Sequence, residues 1–298
     1  MILRFLITLL FCFSITFAKD VQLTLASKNI ANAQTVLLSL KASNIKKPKL
    51  TLMGERKMNL NFEVNPFKVD EYYALVPISY YAQLKQHQII ISYLQENKKY
   101  FKSVKFNVKE GNYKSETIQV AQSKVKPNNK NKQRTKKEYK EAMDIYKRYT
   151  PKQYWNSDFV YPMTSKITSA FGTKRVYNNL LKSYHSGTDF KAPTGTKIHA
   201  VNAGVVRLAS DRYYAGNSVI LDHGKGVYTC YFHLSKIKVK VGQQVKKNEL
   251  LGLSGATGRV TGPHLHFSAR VHGVQVDPMQ LLEILNQLNK SNKKEGTL

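Results

Sequence analysis

At 298 residues the chain exceeds one typical domain and is long enough for two hydrophobic cores. Its 47 Lys and Arg against 19 Asp and Glu give a formal net charge of +28, a field that says nothing of fold but calls for a polyanionic neighbour: nucleic acid, an anionic membrane leaflet or a cell-wall polymer. Only Cys12 and Cys230 are present, and Cys12 falls in a predicted leader, so a disulfide framework is excluded.

Met1 to Ala18 reads as a secretory signal. Arg4 supplies a thin cationic start, Phe5 to Phe13 a short apolar run, and Thr16-Phe17-Ala18 the small residues a signal peptidase reads. The run is too short for a comfortable membrane span. Bulky Phe11 before Cys12 argues against a lipoprotein signal. Export to the periplasm or envelope makes the wall or an anionic envelope surface the expected partner. It argues against nucleic acid, for which no reading element is visible.

Residues 19–121 form a predicted β-rich domain. Val21 to Leu25 alternates cleanly, whereas Thr35 to Leu40 alternates only in part and reads as buried on both faces. Further strands are expected at Leu50 to Met53, Leu60 to Val64, Tyr73 to Pro77, Gln88 to Tyr93 and Phe101 to Val108. Asn, Lys, Gly and Pro clusters between them set the cadence of a sandwich or small barrel. His87, among Lys85, Gln86 and Gln88, reads as solvated.

Residues 122–154 change character. Ser123 to Lys132 is polar and cationic, which predicts a linker that is mobile at least in part. Thr135 to Tyr149 follows as a predicted helix, with Thr135 as N-cap and Glu138 completing a capping box. Its apolar stripe of Tyr139, Met143 and Tyr146 is narrow, the pattern of a solvated spacer or, as the alternative, of a helix that docks on a wall polymer or near the groove of the domain that follows. Thr150-Pro151 ends it.

Residues 155–282 return to β structure. Short strands are expected at Ile167 to Phe171, Thr196 to Val201 and Gly204 to Ala209. A hairpin is expected from Ser218 to His233 across His223-Gly224-Lys225-Gly226. Val239 to Val245 and Leu250 to Leu253 are glycine-punctuated strands, without the Met-Lys-Met tip of a swinging-arm carrier. Pro278 to Leu288 predicts a terminal helix, running into a tail counted over 283–298.

The chemistry gathers in this last stretch. In His264-Leu265-His266-Phe267-Ser268-Ala269-Arg270-Val271, alternation puts His264, His266, Ser268 and Arg270 on one face and apolar residues on the other. Two imidazoles side by side over a polar space are a usual arrangement for zinc. Upstream lie His185 and Asp189, four apart, with Gly187 between them favouring turn and strand over helix. His233 closes a strand-like run in Tyr231-Phe232-His233-Leu234. Cys230, three residues earlier, should face the opposite way as a buried, inert thiol.

His-x3-Asp, then His in Tyr-x-His-Leu, then His-Leu-His resembles the zinc metallopeptidases of the M23 (lysostaphin/LytM-like) type. The likeness extends through Phe171-Gly172, Asp222-His223-Gly224-Lys225-Gly226, Val241-Gly242 and Ser254-Gly255-Ala256-Thr257-Gly258, and covers about residues 160–280. It implies zinc held by His185, Asp189 and His266, with His233 and His264 as auxiliary catalytic residues, one a general base and the other steadying the oxyanion or leaving amine. It further implies an exported endopeptidase that hydrolyses peptide cross-links of peptidoglycan, a D,D-bond being the preferred target. The alternative is a non-catalytic peptidoglycan-binding or amidase-activating module, relatives of which typically lack zinc ligands. The fold expected is mainly β: an N-terminal β-sandwich-like domain, a basic helical linker and a C-terminal LytM-type antiparallel β peptidase domain.

Three further groups of residues carry more than one reading. Arg175 is read either as a binder of substrate carboxylate or as solvated. Asn178 and Asn179 precede His185, and an asparagine occupies the open metal position in some latent relatives. Tyr213 and Tyr214 lie before Gly216-Asn217, but Ala215 takes the place that would aim a tyrosine at the site.

Overall fold

The computed structural model describes residues 21–53, 57–66 and 68–290. The predicted leader, with Cys12, and the residues beyond Lys290 lie outside the described residues.

Alternating sequence builds two sheets in the N-terminal part. One runs in the order Gln22–Leu25, Thr35–Lys41, Glu71–Pro77, Glu63–Val64; the other in the order Asn29–Ala31, Lys98–Lys109, Gln86–Gln95, Ile45–Met53, Met58–Asn61. Val36, Leu38, Leu40 and Val76 of the first share one core with Leu50, Ile89, Ile91 and Phe106 of the second. Each such burial contributes about 1.5–3 kcal/mol. The strand that alternates poorly is buried on both faces: Leu37, with Leu75 and Tyr73, turns away from this core and packs with the terminal helix Pro278–Lys290. His87 differs from its solvated reading. It is buried, its Nε2 bonds to the Gln83 carbonyl at 2.8 Å, and its ring stacks on Phe106.

The predicted mobile linker is structured. Ser115–Ile118 pairs in parallel with Lys174–Tyr177, and Asn178 bonds Val120 through both its amide nitrogen and its oxygen. The helix runs Asn129–Tyr146, beginning earlier than expected, because the Asn128 side chain accepts from the Asn131 N–H and caps it there. Thr135 lies inside it, its hydroxyl donating back to the Lys132 carbonyl. Nor is the helix a solvated spacer. Ile145 and Tyr146 are buried against Leu208, Ile220, Tyr228 and Cys230.

The C-terminal sheet is antiparallel, in the order Ile167–Ser169, Thr188–Lys191, His264–Val271, Val227–Ile237, Gly216–Gly224, Gly204–Arg212, Gln244–Val245. The strand expected over Val239 to Val245 shortens to Gln244–Val245. One face carries Leu265, Phe267, Ala269, Val271 and Tyr231, and is closed by the terminal helix. The other carries Tyr228 and Cys230 under the helix Asn129–Tyr146 and, further along, His266. Chain that reads as linker and tail thus covers the sheet.

Candidate metal centre

Pairing alone assembles most of the centre. Asp189 is directly opposite His266, and Lys191 opposite His264, so Asp189 and His266 share a face. His185 arrives from the hairpin Lys174–Tyr177, Leu181–Tyr184, which no alternation signalled. Gly187 lets it close in: a Cβ there would meet His266 Nε2 and the Phe267 carbonyl oxygen, each at 2.5 Å.

Three donor atoms converge. His185 Nε2 is 2.9 Å from Asp189 Oδ1 and 3.0 Å from His266 Nδ1, and His266 Nδ1 is 2.9 Å from the same carboxylate oxygen. All three residues are buried. His185 Nδ1 is 2.9 Å from the Ala170 carbonyl, which can only accept. That fixes the proton on Nδ1 and leaves a lone pair on Nε2, facing the other two donors.

Lone pairs this close need positive charge among them. Burial pushes His266 down to about 4, against the pull of Asp189, so its imidazole is neutral near pH 7. Burial would raise Asp189, but its contacts with His185 and His266 overcome that and hold the carboxyl well below the usual range. The group is therefore two imidazoles and one carboxylate around one point, a donor set suited to a transition-metal ion.

His233 and His264 come to the same place. His233 follows Phe232, whose ring stacks on His266 at 5.5 Å. Strict alternation would turn His233 to the opposite face. Its φ of 62° breaks the alternation and brings its ring within 4.9 Å of His264 and 5.8 Å of His266. His233 Nδ1 bonds to the Thr257 carbonyl and His264 Nδ1 to that of Gly262, each at 2.8 Å, so in each ring Nε2 is the nitrogen left toward the centre. Burial, with His266 and His264 nearby, holds His233 down at about 3. His264 is the more open, with Nε2 3.6 Å from Asp189 Oδ1.

Arg175 fits neither of its two readings. It is neither solvated nor aimed at substrate. Its guanidinium donates to Asp189 Oδ2 at 3.0 Å, to the Ser169 hydroxyl at 2.9 Å and to Glu116 at 2.5 Å. Asn178 is turned to Val120 and Asn179 is exposed in the hairpin turn, so neither reaches the centre. Tyr213 donates to the Ser123 carbonyl, and Tyr214 packs on Arg259, which lies between it and Tyr177. Cys230 is a buried thiol against Tyr146, pushed up to about 11 by burial. His223 and His272 lie apart from the centre, bonded to Ala203 and Thr229 and stacked on Tyr149 respectively.

Residues 183–278 match the model of Peptidase family M23. The chain is 46% identical over 123 residues to the peptidoglycan DD-endopeptidase ShyA of Vibrio cholerae, a stretch that is 40% of this chain and 29% of ShyA. It is 36% identical over 131 residues to the DD-carboxypeptidase/endopeptidase Mpg of Neisseria meningitidis, 43% of this chain and 30% of Mpg. The match thus spans about a third of the length of these relatives. A solved structure of a candidate M23 peptidase from Pseudomonas aeruginosa superposes with a TM-score of 0.63 at 25% identity, covering 85% of this chain and 94% of that one. A likeness of that reach takes in more than the matched domain.

Proposed function

Because this chain carries a domain of peptidase family M23, we propose that it is a zinc-dependent endopeptidase that hydrolyses peptide cross-links of peptidoglycan in the cell envelope, with a D,D-bond as target. The observation that carries this reading is the convergence of His185 Nε2, Asp189 Oδ1 and His266 Nδ1, with His185 Nδ1 already spent on the Ala170 carbonyl. These would be the zinc ligands. Zinc in such a site supplies Lewis acidity toward a peptide carbonyl and acidifies water.

The chain's own residues supply the rest. Arg175 holds the second carboxylate oxygen of Asp189, so that Oδ1 faces the centre. His233, buried and neutral, presents a bare Nε2 and takes the proton of the attacking water. His264, the more open of the two, with Nε2 3.6 Å from Asp189 Oδ1, steadies the developing oxyanion or the leaving amine. The names of the relatives ShyA and Mpg support the substrate class, and the charge of +28 suits a polyanionic wall.

Two measurements on purified protein test this: zinc content, and mass spectrometry of peptides released from purified wall with and without a chelator. His266→Ala should lose the metal and release nothing. His233→Ala should keep the metal and slow release about 10²–10⁴-fold. Undiminished release by His266→Ala would end the proposal. Bound zinc without any peptide release would favour a binding module instead.

A further inference from the structure

A cavity of about 510 Å³ opens where the N-terminal part, the helix Asn129–Tyr146 and the strand His264–Val271 meet. That is within the size range of ligand sites. The alternation that sends His264 and His266 to the metal centre brings Arg270 out on the same face, where it lines this cavity. Arg270 lies four residues from His266, about 13 Å along the strand.

Arg270 is half-buried, and no carboxylate lies within ion-pair distance of it among the described residues. One guanidinium nitrogen donates to the Gly273 carbonyl at 2.7 Å, and the group sits 4.6 Å over the Tyr146 ring. Its other N–H groups have no acceptor among the described residues. No Asp or Glu lines the cavity; Gln83 and Gln275 give it neutral polarity. Tyr81 and Tyr139 also line it, 71% and 66% exposed, large rings with most of their surface in solvent. A planar cation without a counter-charge, among neutral amides and open aromatic faces, selects an anion carried on a partly apolar body.

We propose that this cavity is a second binding site, apart from the cutting centre, for a carboxylate-bearing peptide. Given the function proposed above, on which the ligand's identity rests, that peptide is an uncut stem of the wall. The carboxylate pairs with Arg270, and the peptide body lies against Tyr81 and Tyr139. A stem held about 13 Å from the centre raises the local concentration of neighbouring cross-links, as linked sites do.

The experiment titrates the full chain with a soluble, uncross-linked tetrapeptide stem by calorimetry. The same peptide with amidated carboxyls, and inorganic phosphate, serve as comparison probes. The expected result is saturable binding of one stem, weakened about tenfold or more by Arg270→Gln and to a similar degree by amidation. Arg270→Lys should bind between the two. Tyr139→Ala, a change on an exposed helix face that leaves the core intact, should weaken binding several-fold. Affinity unchanged in both Arg270→Gln and Tyr139→Ala overturns the site, and so does phosphate binding more tightly than the peptide. Arg270-dependent stem binding by a chain that releases nothing from wall would sink the hydrolase reading and leave this site standing. Peptide release with no Arg270-dependent binding would do the reverse.

Discussion

Arg175 shows how far one residue's part in the centre lies from its place in the chain. Its guanidinium joins Asp189 to Glu116, a residue of the N-terminal segment. A charge-assisted pair buried this far is costly to break from one side. Arg175→Lys keeps the charge but loses the fork that reaches Asp189, Ser169 and Glu116 together. We expect zinc affinity to fall about 10–100-fold, the usual effect of losing a partner that orients a metal ligand. Competition against a chromogenic chelator reads this directly, and unaltered affinity would show that Asp189 needs no such support. The grouping of His185, Asp189 and His266 was legible through the resemblance to the M23 type; alternation by itself put only His264 and His266 on one face, and His185 comes from a hairpin that no alternation signalled. Arg175 was not, since Lys174–Tyr177 carries no apolar alternation and its partner is far away in sequence. The φ of 62° at His233 was not legible either: histidine is enriched among left-handed residues, but such residues are too few for one histidine in a strand-like run to signal it.

Among elements, the helix Asn129–Tyr146 departs most from its sequence reading. Its mostly charged surface gives a weak apolar stripe, which reads as solvent-facing. What docks it is its last turn. Tyr146 is buried, its hydroxyl 3.1 Å from Cys230 Sγ and its ring edge-on to Tyr228. Arg134 and Glu138 fix the other end to Asp211 and to the Tyr213 amide. Two residues carry little weight in a periodicity over eighteen, so tertiary packing outvoted the pattern. Tyr146→Ala should cost about 3–5 kcal/mol, as other large aromatic truncations do. Tyr146→Phe should cost about 1 kcal/mol, the worth of one hydrogen bond. Urea denaturation separates these. Equal, small losses would mean that the helix merely rests on the sheet. Strands with clean alternation, such as His264–Val271 and Gln86–Gln95, were legible because each buries one face against a continuous core.

At the scale of the whole molecule, parts that read as separate share surfaces. Leu37, Tyr73 and Leu75 of the N-terminal sheet join the core under the terminal helix, and Gln280 bonds both the N–H and the carbonyl of Thr35. Composition marks where a chain turns polar, but not which surfaces meet across that stretch. Such a unit should respond to acid through its buried histidines. His223 lies in the C-terminal core, fully buried, its Nδ1 on the Ala203 carbonyl and its Nε2 on the Thr229 hydroxyl. Burial pushes it down from 6.5 to about 4, against the Ala203 bond and the charge of Asp222. The unfolded chain therefore takes up a proton before the folded one does. The stability this histidine contributes is full above about pH 6.5, falls as the pH drops, and is reduced by about 3 kcal/mol at pH 4. His223→Gln cannot ionise. It should be less stable than the parent at pH 7, where it loses the fitted ring, but its stability should fall less steeply between pH 6.5 and 4. Urea midpoints at pH 7, 5.5 and 4.5, compared between the two proteins in the presence of a chelator, cancel the contribution of the metal centre. Parallel curves would mean that His223 titrates alike in both states, and that water reaches a ring which the fold encloses.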